Sequence, residues 1–242
     1  MANHNMYLVV LSYVVSVIGS LGALITVREA LREDTDDRGE LIFAAALCLG
    51  IIGVWSMHFI GMLAFSMPNM NMSFNWLLTA LSLVVAVAVV YMGLAFIAAG
   101  EYSLGKLVLA GIFVGLGVAA MHYTGMLAML VQADVQWDMN VIAVSVFIAV
   151  NASIVALWLA THVQHLWQIV ISALVMGVAI CGMHYTGMTA VSFIHNPNLP
   201  PVEAMDVGVV AFSLIIVALD VIVLVVAMAI VGANRNELVY RK

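Results

Sequence analysis

Polar residues are sparse enough along this chain to divide it into blocks. Seven apolar stretches stand out, at Tyr7–Val27, Leu41–Phe65, Trp76–Ala99, Leu107–Val131, Val141–Thr161, Trp167–Phe193 and Val207–Gly232. Each exceeds the ~18 residues a helix needs to cross the hydrocarbon core of a bilayer. None alternates apolar and polar residues at period two, as the strands of a membrane barrel do. The pattern predicts an all-α, polytopic membrane protein with seven transmembrane helices, forming one domain over residues 1–242. The first stretch has no charged leader before it and no clear cleavage site after it, so it is read as a retained helix.

Charge then orients the bundle. All seven basic residues fall on one side of the predicted helices: Arg28, Arg32 and Arg38 in the first connector, Lys106 in the third, and Arg235, Arg241 and Lys242 at the end. By the positive-inside rule that side is cytoplasmic, which puts the N-terminus out and the C-terminus in. The opposite connectors hold Asp134, Asp138, Glu203 and Asp206 and no lysine or arginine. A formal charge of −6 with no basic patch argues against nucleic acid as a partner; membrane lipid is the expected surrounding. The longest connector, Arg28–Glu40, is charge-rich and reads as solvated helix. Cys48 and Cys181 fall at different depths, so no disulfide is expected between them.

A second periodicity lies inside the first. The segments WSMHFIGMLAF (55–65), AAMHYTGMLAM (119–129) and CGMHYTGMTAV (181–191) place His58, His122 and His184 in helices 2, 4 and 6. Those three helices run in the same direction, and each histidine lies roughly 23–27 Å along its helix at 1.5 Å per residue. The economical description is helix 1 followed by three parallel two-helix repeats around 41–99, 107–161 and 167–232. An axis along the membrane normal relating such repeats would let the histidines converge.

On a helical wheel Met62, Met126 and Met188, four residues after each histidine, share its face. Gly61, Gly125 and Gly187 lie there too, and Met57, Met121 and Met183 lie at its edge. The opposite face carries small residues suited to close helix approach: Gly53, Ser56 and Ala64; Gly117, Ala120 and Ala128; Ala179, Gly182 and Ala190. A lone membrane histidine beside methionine is usually a hydrogen-bonded core residue. Three at one depth, each costing on the order of 2.5–3.5 kcal/mol to insert when charged, point to a shared site.

Imidazole with thioether is a soft donor set. It suits copper, Cu(I) or Cu(II), better than zinc, and far better than magnesium or calcium. Met67, Met70 and Met72 in the loop SMPNMNMS are either a thioether cluster handing Cu(I) inward or an ordinary polar loop. Asp220 and Asn151, near mid-helix in helices 7 and 5, are candidates to accept or orient a ligand histidine's second nitrogen, or to bond a neighbouring helix instead. Tyr123 and Tyr185, one residue after their histidines, stack near the site or anchor at the interface. Cys181 reads as a small packing residue, and His162, His165 and His195 as surface histidines.

At these residues the chain resembles the MHYT domain, a bacterial integral-membrane sensor named for Met–His–Tyr–Thr. The second and third copies match in full, Met121–Thr124 and Met183–Thr186, while the first reads Met57–His58–Phe59–Ile60 and lacks both hydroxyls. The resemblance covers nearly the whole chain. It implies a multi-pass protein of the bacterial cytoplasmic membrane that binds copper through His and Met. It also implies sensing of a diatomic gas (oxygen, carbon monoxide or nitric oxide) and signalling to a downstream domain or protein. Two other functions fit the residues alone: a copper or proton transporter using the outer methionines and Asp220, or a haem electron-transfer protein with two axial histidines. No nucleophile–base pair or acid–base dyad stands out in the sequence, so enzymatic activity is not expected. Neither Lys106 nor Lys242 falls within a predicted helix, which excludes a retinal Schiff base.

Overall fold

The computed structural model describes residues 3–32, 37–66, 71–200, 202 and 209–240. Met67 and Met70, with Glu203, Asp206, Arg241 and Lys242, lie outside them. Among the described residues, seven helices are long and apolar enough to cross a membrane. They are α1 (Met6–Ala30), α2 (Arg38–Ala64), α3 (Trp76–Ala98), α4 (Leu104–Leu127), α5 (Met139–His162), α6 (Leu166–Thr189) and α7 (Val209–Tyr240). Cys48 and Cys181 are unpaired, as expected.

Three ends differ from the apolar pattern. The second, fourth and sixth stretches were expected to stay helical to Phe65, Val131 and Phe193, but their ends become strands. Extended pairs join β1 (Asn3–His4) to β2 (Phe65–Ser66), β3 (Met72–Phe74) to β4 (Met129–Val131), and β5 (Ala133–Trp137) to β6 (Val191–His195), all antiparallel. Apolarity cannot separate helix from strand in a short run. Pairing satisfies the backbone groups the helices leave free at this face.

The strands define the repeat in space. Each unit is strand, helix, histidine helix, strand: β1–α1–α2–β2, β3–α3–α4–β4 and β5–α5–α6–β6. Asn5, Asn75 and Asp138 cap α1, α3 and α5, their side chains accepting from the first-turn amides. The backbone N–H of each cap donates to an alanine that ends its partner helix: Asn5 to Ala64 (2.8 Å), Asn75 to Ala128 (2.7 Å) and Asp138 to Ala190 (2.8 Å). Capping and hairpin closure thus use the same three residues, and each alanine sits six residues after its histidine.

The six helices form a closed ring in chain order, α1 packing on α2 and α6. Counted along the chain, the repeat runs from each histidine helix to the helix after it; the ring groups each histidine helix with the helix before it. The helix outside the threefold is therefore α7, which lies mainly against α2. This asymmetry buries α2: 83% of its span is inside the protein, against 44% for α4 and 39% for α6. The small-residue face expected on all three histidine helices is buried in each at its last position, Ala64, Ala128 and Ala190, and differs at its middle one. At the position two before the histidine, Ser56 is fully buried, whereas Ala120 and Gly182 are exposed.

Candidate metal centre

His58, His122 and His184 meet on the axis of the ring. Their ring centroids are 4.9, 5.0 and 5.2 Å apart, and no pair is coplanar, with interplanar angles of 76°, 88° and 89°. All three imidazoles are fully buried. His58 Nδ1 lies 3.0 Å from His184 Nδ1 and 3.1 Å from His122 Nδ1. Three nitrogen atoms thus turn inward to one point. Since metal–nitrogen bonds are about 2 Å long, donors sharing one ion lie roughly 3–3.5 Å apart, and the observed spacing fits that requirement.

The outward nitrogens explain the glycines. Among the described residues, none of the three Nε2 atoms has a hydrogen-bond partner. Each presses instead on the glycine of another repeat. A Cβ on Gly125 would stand 2.2 Å from His58 Nε2, one on Gly187 2.3 Å from His122 Nε2, and one on Gly61 2.3 Å from His184 Nε2. The contacts run in a cycle around the ring, so every histidine depends on a glycine three residues after a different histidine. The wheel had placed those glycines on the histidine face; that they receive a neighbour's imidazole is a property of the assembled ring.

Aromatic residues follow each histidine and stand edge-on to it: Phe59, Tyr123 and Tyr185, with centroids 4.8–4.9 Å from their own imidazole. The tyrosine hydroxyls point away, to serines on neighbouring helices. Tyr123 meets Ser145 Oγ at 2.5 Å and Tyr185 meets Ser12 Oγ at 2.9 Å. In the first copy, where Phe59 has no hydroxyl, Trp55 Nε1 donates to Ser82 Oγ at 3.0 Å. Ser12, Ser82 and Ser145 each fall seven residues after a helix cap, so they are equivalent positions. The spacing Asn/Asp–x6–Ser, at 5–12, 75–82 and 138–145, was a readable signal that histidine-centred reading passed over.

The six motif methionines are all buried, Met57, Met62, Met121, Met126, Met183 and Met188 being between 0% and 6% exposed. Of the two candidate supporting residues, Asp220 takes the second of the roles its depth allowed and Asn151 takes neither. Asp220 accepts a hydrogen bond from Ser56 Oγ at 2.7 Å, so it ties α7 to α2 and touches no histidine nitrogen. Asn151 is exposed and donates to the Phe147 carbonyl of its own helix at 2.8 Å. Both placements have one cause: helical depth is legible in sequence, but rotation about the axis depends on neighbours. Asp220→Asn is therefore expected to change bound metal by less than the ~10–100-fold that follows loss of a ligand's supporting contact. Equilibrium dialysis of the purified variant against the metal checks this. His162, His165 and His195 are exposed, as surface histidines should be.

Two features of α2 set the first copy apart. Cys48–Ser56, immediately before Met57, is π-helical, whereas α4 and α6 remain α-helical throughout. Here α1 and α2 touch backbone to backbone, and a Cβ on Gly19 would lie 2.2 Å from Gly53 N. Widened turns of this kind recur next to functional residues. A buried acid missed in the sequence, Glu29, anchors the other end of α7 through Asn234 Nδ2 (3.4 Å) and Arg235 Nε (3.3 Å).

Comparison with known proteins also divides the chain into three repeats. A family profile described as MHYT, bacterial signalling protein N terminal repeat, matches three times, at residues 52–110, 115–173 and 177–239. The chain is 36% identical over 240 residues to the bifunctional diguanylate cyclase/cyclic di-GMP phosphodiesterase MucR of Pseudomonas aeruginosa, covering 96% of this chain and 35% of that protein. It is 38% identical over 151 residues to the cyclic di-GMP phosphodiesterase NbdA of the same organism, covering 60% of this chain and 19% of that one. It is 31% identical over 182 residues to the signaling protein YkoW of Bacillus subtilis, covering 72% of this chain and 22% of that protein. The chain thus spans about a third or less of the length of these relatives. No solved structure matches it.

Proposed function

The chain belongs to the MHYT family of bacterial signalling-protein repeats, and from that membership we propose that it is a sensory input module of the bacterial cytoplasmic membrane, reading a diatomic gas or a redox change through copper held by His58, His122 and His184. The observation that carries the metal reading is the convergence of three buried Nδ1 atoms from three helices. Their donor chemistry supports copper: three imidazoles, six buried methionines nearby in sequence and, among the described residues, no carboxylate bonded to any of the three rings. Copper so held would supply a redox-active centre with room in its coordination for a small ligand.

The protein's own residues supply the rest. Three histidine helices hold the ring, and Gly61, Gly125 and Gly187 keep it compact. Ser56 and Asp220 link the helix of His58 to α7. We assign signal output to α7, because it alone stands outside the threefold and reaches the basic face, where Glu29 holds it. The cyclase and phosphodiesterase names of the relatives suggest cyclic-di-GMP enzymes as the output this input would govern. The module itself is proposed to be non-enzymatic.

The direct test is metal analysis with optical and electron paramagnetic spectra on protein purified from membranes without chelator. Stoichiometric copper supports the reading; a Soret band would replace it with the haem alternative. Orientation has its own test. A reporter fused at Gln132, between β4 and β5, is expected outside the cell, and one at Lys106 inside. The reverse pattern would move the histidine ring to the cytoplasmic leaflet.

A further inference from the structure

On the axis of the ring, directly beyond the histidines on the side away from the strands, the six helices surround a partly open cavity of about 60 Å³. Its position follows from the repeat. Val54, Val118 and Ile180, each four residues before a motif histidine and so one helical turn away, all line it. So do Leu24, Leu94 and Leu157, each nineteen residues after the cap of its helix and therefore equivalent under the threefold. The wall is built in threes, like the histidine ring above it.

The chemistry of that wall selects a ligand class. Apart from the Ser153 hydroxyl, every lining side chain is alanine, valine, leucine, isoleucine or methionine. Among the described residues no charged group or amide side chain faces the space, so an ion or a strongly hydrated molecule would lose its water without replacement. Apolar cavities take up xenon or small hydrocarbons, one of ~150 Å³ being enough for benzene. By that scale the present volume suits about two or three heavy atoms.

We propose that this cavity is a binding site for a small, uncharged, apolar molecule, stacked one helical turn from the histidine ring on the same axis. Its occupant presses on Val54, Val118 and Ile180, which belong to the same three helices as the histidines. The site needs no metal, so it stands whether or not the ring holds copper.

Xenon is the probe that tests it. The full chain in lipid nanodiscs, stripped of metal, is exposed to xenon and followed by xenon-129 NMR, with empty nanodiscs as the lipid reference. A protein-bound population distinct from lipid xenon is expected, reduced at least several-fold by Ala156→Phe, which fills the cavity, and increased by Leu157→Ala, which enlarges it. Absence of a bound population in the unaltered protein overturns the proposal. So does a bound population that Leu157→Ala leaves unchanged, since that xenon would sit elsewhere; this arm decides the matter even if Ala156→Phe fails to fold. Copper content plays no part in the measurement, so failure of the metal reading would leave its result intact.

Discussion

Single replacement of His58, His122 or His184 by alanine is expected to abolish stoichiometric copper binding in each case, with affinity falling by more than ~100-fold. The scale comes from the support shell: losing only a partner of a ligand typically costs ~10–100-fold, and losing a ligand costs more. Equal losses in all three variants are the diagnostic result, because the three Nδ1 atoms face one point and His58 lies 3.0 and 3.1 Å from the other two. Copper titration of purified protein, with a competing chelator to set the affinity scale, reads the outcome. Retention of full copper in two of the three variants would mean that the ring is a packed core cluster. Alanine at Met62, Met126 or Met188 separates ligation from packing: a thioether that binds copper changes its spectrum when removed, and one that merely packs does not.

The second large effect is expected from an addition of one methyl group. Gly125→Ala, Gly187→Ala and Gly61→Ala each place a Cβ at 2.2–2.3 Å from a buried imidazole nitrogen of another repeat. No real contact is that short, so the histidine or the helix must move. Overpacking a tight core typically costs about 1–3 kcal/mol. Gly182→Ala is the control, since nothing lies within 4 Å of its added Cβ and the position is exposed. There the substitution is expected to be neutral or to stabilise by up to ~1 kcal/mol through helix propensity. Thermal unfolding in detergent, monitored together with copper content, compares the four. Loss of copper in the three ring variants alongside a normal Gly182→Ala would show that the glycines shape the site. Indistinguishable behaviour of all four would mean that the ring relaxes freely.

Much of this architecture was legible in one dimension because it is a matter of counting. Seven spans and the segregation of basic residues to one face follow from the lengths of apolar runs and the places where charge interrupts them. The shared depth of His58, His122 and His184 follows from rise per residue along parallel helices. Their convergence follows from one further step, an axis relating the repeats. The same counting, applied to Asn5, Asn75 and Asp138 with their serines, would have revealed the hairpin frame as well.

What counting leaves open is rotation and partnership. Asp220 and Asn151 both looked like intramembrane polar groups at functional depth. Which way each points depends on packing: α7 turns Asp220 toward Ser56 of α2, while α5 presents Asn151 outward. The ends of the fourth and sixth apolar runs became strands because Met129–Val131 and Val191–His195 found partners beside them, a contact between segments some 60 residues apart. Gly61, Gly125 and Gly187 were placed on the right face, yet their purpose belongs to an imidazole arriving from another repeat. The sequence by itself determined the spans, the depth of the histidines and the soft donor set, since each depends on local order along the chain. Only the tertiary structure decided that α1 closes the ring and α7 stands outside it, that Nδ1 turns inward and Nε2 outward, and that an apolar cavity lies beneath. Those depend on which surfaces meet, and contacts across a bundle leave no fixed spacing in the chain that makes them.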